Sequence, residues 1–257
     1  MQPEAIWPRI NAPLQPNEIK VWLFETPAIL SSEFFTTCRC LLTPAEQAYA
    51  DQKPTQAQRN YVVKQAFLRH VLAQYHSNCA ATSLSFTHNP HGKPSISSPD
   101  TALRFNLSHS GQWHAVAVGL ARDIGVDIEA IKPTRRVKRI AQHYFHPQEK
   151  DYLATFHDTD FIHPFYSIWT LKEALVKAAG VGMSQPFNQF SVIAKSHART
   201  QAWQLRSSIS LCTKSWVLQH CKVSNKVSLA IAVEGSLKES LDITICQLRL
   251  ATGGLYR

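Results

Sequence analysis

The 257-residue chain contains no run of about 18 consecutive apolar residues, the length a membrane-spanning helix needs. Its first residues, MQPEAIWPRINAPLQP, are polar and proline-rich and lack the charged-then-apolar pattern of a signal peptide. Both absences predict a cytoplasmic protein. The six cysteines (Cys38, Cys40, Cys79, Cys212, Cys221 and Cys246) form no CxxC pair, which argues against a zinc site or a disulfide framework and for idle or buried thiols. The twelve histidines are scattered, without the close spacing of a metal cluster. No internal repeat or low-complexity tract is visible. Acidic residues are scarce: 18 Asp and Glu stand against 27 Lys and Arg, a net charge of +9. That balance suits an acidic partner, be it nucleic acid, an anionic membrane, an acidic protein or a phosphorylated cofactor. The densest basic stretch, Lys132–Lys138, reads as a solvated surface segment.

What is present suffices for a real core, with 44% hydrophobic residues in a chain long enough for one large or two small domains. Residues 19–25 read as a strand. Thr43-Pro44-Ala45-Glu46 has the pattern of a capped helix start, and a wide apolar stripe predicts a helix over 56–76. Asn89 to Pro94 is turn-rich. Residues 104–120 read as a buried hairpin, with Ser108-His109-Ser110 in a turn beside Gly111. After a polar break at 121–123, residues 124–129 read as another strand. Helices are expected over 137–144, 147–155 and 164–180, the last with Ile168, Leu171, Leu175 and Ala178 toward the core and Gly180 at its end. Strands are expected at 189–194, 201–206, 215–221, 226–233 and 242–250. Each half thus combines helices with several strands, and the break at 121–123 lies near the middle.

Asp127 and Glu129 alternate along the 124–129 strand and share one face, opposite Ile124, Val126 and Ile128. Buried acids need a cation or hydrogen-bond donors, whereas the same residues on an exposed strand are ordinary solvated acids. Glu173 and Lys177 stand one turn apart on the 164–180 helix and make a surface ion pair equally well. The hydroxyls, imidazole and turn amides of Ser108-His109-Ser110 suit a phosphate cradle, or simply a hairpin turn. Lys93, in Gly92-Lys93-Pro94, reads as an anion-binding lysine or an exposed turn lysine.

In chain order, GKP at 92–94, FNLSHSGQWHAVAVG at 105–119, IGVDIE at 124–129, HYFHPQEKDYL at 143–153 and WTLKEALVKAAGVG at 169–182 resemble the 4′-phosphopantetheinyl transferases. The likeness is to the larger, monomeric type named after the enzyme that activates surfactin synthetase, in its WxxKEA subgroup. It covers about residues 85–250 well and the N-terminal third loosely. It implies an α+β fold of two similar halves, 1–121 and 122–257, each an antiparallel sheet flanked by helices and related by a pseudo-twofold. Coenzyme A would lie between them, the usual place for a ligand pocket. The implied reaction moves phosphopantetheine from coenzyme A to a carrier-protein serine and releases 3′,5′-ADP. The resemblance further implies Mg²⁺, with Mn²⁺ as alternative, on Asp127, Glu129 and Glu173. Glu149 would accept the serine proton, Lys177 would stabilise the leaving phosphate, and Arg59, Lys93, Ser108 and His109 would grip the 3′-phosphate and nearby groups. The implied partners are acyl carrier proteins or the carrier domains of polyketide and peptide synthetases, with no role for nucleic acid or membrane. Where family members often carry basic residues, this chain has Ala45-Glu46-Gln47-Ala48-Tyr49. Two other classes fit parts of the pattern. One is a metal-dependent nuclease built on Asp127, Glu129 and Lys132; the other is a non-catalytic binding module.

Overall fold

The structure, a computed structural model, describes residue 7 and residues 13–76, 79–182, 185–194, 203–207, 214–236 and 240–250. The first half runs β1 (Glu18–Glu25), α1 (Ser32–Cys40), α2 (Pro44–Asp51), α3 (Thr55–Ala73), β2 (Ser85–His88), β3 (Pro94–Ser98), β4 (Leu103–Ser110) and β5 (Trp113–Leu120). The second runs β6 (Ile124–Ala130), α4 (Val137–Tyr144), α5 (Pro147–Ala154), α6 (Ile162–Ala179), β7 (Phe190–Ala194), β8 (Trp203–Ser207), β9 (Trp216–Ser224), β10 (Val227–Glu234) and β11 (Asp242–Leu248). No helix among the described residues is long and apolar enough to cross a membrane. The five described cysteines are unpaired, and Cys212 lies outside the described residues.

Most elements follow from local signals. At α2, Thr43 Oγ1 accepts from Glu46 N while the Glu46 carboxylate accepts from Thr43 N, completing the expected capping box. Gly180, left-handed at φ 67°, ends α6. Helix α1 goes unannounced in the sequence because Thr36, Thr37, Cys38 and Cys40 are poor helix formers. It is held instead by Ser31 Oγ, which accepts from Phe34 N at 3.1 Å, and by burial of Phe34 and Cys38 one turn apart.

A four-stranded sheet in the order β11-β1-β5-β4 and a three-stranded antiparallel sheet in the order β6-β10-β9 form the centre. Strand alternation divides their side chains between layers. Ile19, Val21, Leu23, Ala115 and Ala117 of the first sheet meet Ile124, Val126, Ile128, Val227, Leu229, Ile231 and Val233 of the second in one apolar layer. Phe24, Val116 and Val118 face the other way, onto α1 and α3. Ala230 and Ala232 face Leu171, Ala174 and Leu175 of α6. The order helices–sheet–sheet–helices is the two-halves α+β arrangement expected from the sequence.

The expected division at 121/122 is corrected in one respect. Strand β11 leaves the second half and pairs in parallel with β1, from Glu18↔Asp242 to Phe24↔Leu248. The last described strand therefore belongs to the first half's sheet. One glycine sets the position of α6: a Cβ on Gly125 would stand 1.9 Å from the Ala174 carbonyl oxygen and 2.4 Å from Ala178 N. Only a residue without a side chain lets β6 and α6 approach this closely. That approach brings Asp127, two residues farther along the strand, against Lys177 of the helix.

Candidate active site

Between the halves lies a cleft of about 290 Å³, walled by the β2–β3 turn (His91, Lys93), by Asn106 and Leu107 of β4 and by Glu173, Val176 and Lys177 of α6. Asp127, on β6, is 4% exposed. Its Oδ1 accepts from Lys177 Nζ at 2.7 Å and from Ser108 Oγ at 2.8 Å, while Oδ2 is buried without a partner. Burial pushes its pKa up, against the opposing pull of Lys177 and Ser108. Glu129 is half-buried; its Oε2 accepts from Ser110 Oγ at 2.8 Å and its Oε1 lies 4.0 Å from Arg135 Nη1. Glu173 has its pKa raised to about 7, first by burial and then by the charges of Asp127 and Glu129, with Lys177 and Arg135 opposing. The three acids thus feel one another across β6 and α6. Lys177 binds Asp127 rather than Glu173, so the i,i+4 surface pair is replaced by one that links helix to strand. Among the described residues, no three metal-ligating side chains converge tightly enough to enclose an ion as they stand.

Ser108-His109-Ser110 lies at the end of β4, ahead of the turn and not within it, pairing with Ala115, His114 and Trp113 of β5. Ser108 is 8% exposed, and its hydroxyl is fully used: it donates to Asp127 and accepts from Ile128 N at 3.3 Å and Lys177 Nζ at 2.9 Å. A hydroxyl with one proton and two lone pairs has nothing left for a phosphate. Ser108 is therefore corrected from phosphate ligand to a link between Lys177 and Asp127. His109 stays exposed, stacked 6.1 Å from His114, and its pKa is lowered by partial desolvation and by the ammonium groups of Lys64 and Lys177. Lys93 lines the cleft; its Nζ donates to Ala178 O at 2.7 Å at the C-terminus of α6 and lies 3.5 Å from Asp123. Arg59 is exposed near the start of α3 and is not among the cleft-lining residues.

Glu149 is also corrected. It sits on α5, outside the cleft lining, and is 1% exposed. Its carboxylate accepts from Lys172 Nζ at 2.7 and 2.9 Å, from Val192 N at 2.8 Å and from His146 N at 2.9 Å. Burial alone pushes the Lys172 pKa down and that of Glu149 up, toward a neutral pair. Four hydrogen bonds to the carboxylate, from three donors, and three acceptors on the ammonium, Phe190 O at 2.6 Å included, hold the charged form. The enclosed carboxylate joins α5, α6 and β7 as an anchor.

Lys172 and Lys64 are absent from the sequence-based set. For Lys172 a signal exists: it falls on the Ile168–Leu175 face of α6, and an ionisable group on a core face demands a partner. Lys64, half-buried on α3 with Nζ 5.9 Å from the Tyr61 ring, shows no such signal, because only the fold carries its charge to His109. Trp169 is packed among Phe165, Phe145 and Phe187.

A model of the 4′-phosphopantetheinyl transferase superfamily matches residues 123–233. A putative 4′-phosphopantetheinyl transferase of Synechocystis sp. is 32% identical over 173 residues, 66% of this chain and 68% of that protein. The chain belongs to the 4′-phosphopantetheinyl transferase superfamily. A 4′-phosphopantetheinyl transferase of Bacillus subtilis is 41% identical over 113 residues, 44% of this chain and 48% of its own length. A solved holo-(acyl-carrier-protein) synthase of Bacillus anthracis aligns over 44% of this chain and 96% of its own at 19% identity, with a TM-score of 0.38. The segment matching the superfamily model contains Asp127, Glu129, Glu173 and Lys177, together with the Glu149–Lys172 pair. The Synechocystis match spans 68% of its partner, and the Bacillus subtilis match about half.

Proposed function

We propose that this phosphopantetheinyl transferase moves the 4′-phosphopantetheine group of coenzyme A onto a serine of an apo carrier protein. The observation that carries the reading is the cleft, where Lys93 of the first half faces Glu173 and Lys177 of the second. In the reaction the serine oxygen bonds to the phosphorus bearing pantetheine. The bond from that phosphorus to the bridging oxygen breaks, 3′,5′-ADP leaves with the bridging oxygen, and the serine proton is released.

The residues fit a hard dication. Every donor is an oxygen, Asp127 Oδ2 is buried without a partner, and Glu173 is burdened by two neighbouring charges. Asp127, Glu129 and Glu173 would hold Mg²⁺, or Mn²⁺ in its place. When bound, the ion supplies charge neutralisation on the pyrophosphate. Lys177, fixed by Ser108 and Asp127, is a preorganised cation for the leaving phosphate. Lys93 and His109 are the side chains offered to the 3′-phosphate, with Arg59, exposed near the start of α3, as a further cation for it. The net charge of +9 favours encounter with acidic carrier proteins. The protein is proposed to act as a cytoplasmic monomer. Incubation with Mg²⁺, coenzyme A and a panel of apo carrier proteins is expected to add one phosphopantetheine to a carrier by intact mass. No shift on any carrier, beside an active control enzyme, refutes the proposal.

A further inference from the structure

The halves are joined at β4 and β6, the facing edges of the two sheets, without a backbone ladder. Side chains of β4 take the place of carbonyls. Val126 N donates to Asn106 Oδ1 at 2.9 Å, Ile128 N to Ser108 Oγ at 3.3 Å and Ala130 N to Ser110 Oγ at 3.0 Å. Alternate residues of one strand thus satisfy alternate amides of the other, which a sheet edge otherwise leaves open.

Both serines have a second task. A hydroxyl has a single proton. Accepting from a backbone N–H, Ser108 sends that proton to Asp127 Oδ1 and Ser110 sends it to Glu129 Oε2, each at 2.8 Å. The backbone amide therefore dictates the direction of the bond to the carboxylate. Asn106 makes the same junction contact, and the bond it makes there is to a backbone amide rather than to an acid. Ser108 also holds Lys177, so its loss would confound two effects. Ser110 separates them.

We propose that Ser110 is a positioning residue for the metal-binding carboxylate Glu129, coupling its orientation to the junction of the two halves. This rests on the reading of Asp127, Glu129 and Glu173 as the Mg²⁺ ligands. Partners of this kind, which orient a ligand from behind, typically change metal affinity about 10–100-fold when removed.

The test is Mn²⁺ binding by electron paramagnetic resonance with coenzyme A present, alongside denaturant unfolding. Ser110→Ala is expected to weaken Mn²⁺ about tenfold or more. Ser110→Thr, which keeps the hydroxyl at a half-buried position, restores most of the loss. Ser31→Ala, which removes the α1 cap away from the cleft, is expected to lose stability while Mn²⁺ affinity holds. Wild-type affinity in Ser110→Ala, or equal weakening in Ser31→Ala, overturns the positioning role. Asp127→Ala identifies which reading has failed. If it abolishes Mn²⁺ binding while Ser110→Ala does not, the positioning role alone falls. If it binds Mn²⁺ as wild type does, the metal assignment falls, and the positioning role with it.

Discussion

Glu149→Gln separates an anchor from a catalyst. In the folded protein Lys172 is fully buried, its ammonium bound by Glu149 and the Phe190 carbonyl and 4.1 Å from the Phe190 ring centroid. Removing the countercharge leaves a buried cation with one neutral carbonyl and one amide oxygen, a loss of about 3–5 kcal/mol. Adding Lys172→Met removes the stranded charge and fills the space with an apolar chain. Since a buried ion pair replaced by apolar groups is often near neutral, the double variant should recover more than half of the loss. The glutamine still offers an oxygen to the amides of Val192 or His146, as glutamine does in a capping box. It cannot accept a proton from serine, so loss of a true general base would cost about 10²–10⁴ in rate whatever the stability. Urea unfolding and carrier modification measured on the same samples decide the matter. The expected result is an unstable single variant and a double variant that regains both stability and turnover. A double variant as stable as wild type yet about 10²-fold or more slower would refute the anchor argument and return Glu149 to the chemistry.

Two further outcomes follow from burial. The pKa values of His114 and His220 are pressed down to about 4, His114 by burial and nearby His109 and Lys64, His220 by burial and His163. A depressed histidine favours the native state at pH above its unfolded value of about 6.5, and that contribution is lost as pH falls toward 4. Each is worth at most about 3 kcal/mol, so unfolding free energy should decline from pH 6.5 to 4, and His114→Gln should flatten part of that slope; an unchanged slope would contradict it. Gly125→Ala drives a methyl group into the α6 backbone and should destabilise severely or shift the helix off Asp127, seen as a lowered melting temperature with lost activity. A variant that melts and reacts like wild type would show that the close approach is not required.

Much of this was legible from the chain because it is local. The period-two pattern of IGVDIE placed Asp127 and Glu129 on one face, and the α6 face and its glycine stop followed from helical spacing. What escaped depends on partners distant in sequence. Ser108 looked like a turn residue because Ser110 and Gly111 follow it closely; only the β4–β6 junction, 20 residues away, shows its hydroxyl already committed. Glu149 looked free because a sequence shows a carboxylate but not the three donors around it. The interleaved polar residues Asn106, Ser108 and Ser110 carry a readable signal, three hydrogen-bonding side chains at alternate positions of one strand.

The return of β11 to the side of β1 also bears on solubility. The β1 sequence, IKVWLF, is rich in aromatic and β-branched residues, the composition of a segment that recruits further strands when its edge is bare. β11 covers that edge through a full seven-residue register, and its own exposed positions are Asp242, Thr244, Ile245 and Gln247. A strand of aromatic and aliphatic residues is thus flanked by one with polar interruptions, and the part of the chain that supplies it comes from the far end of the sequence.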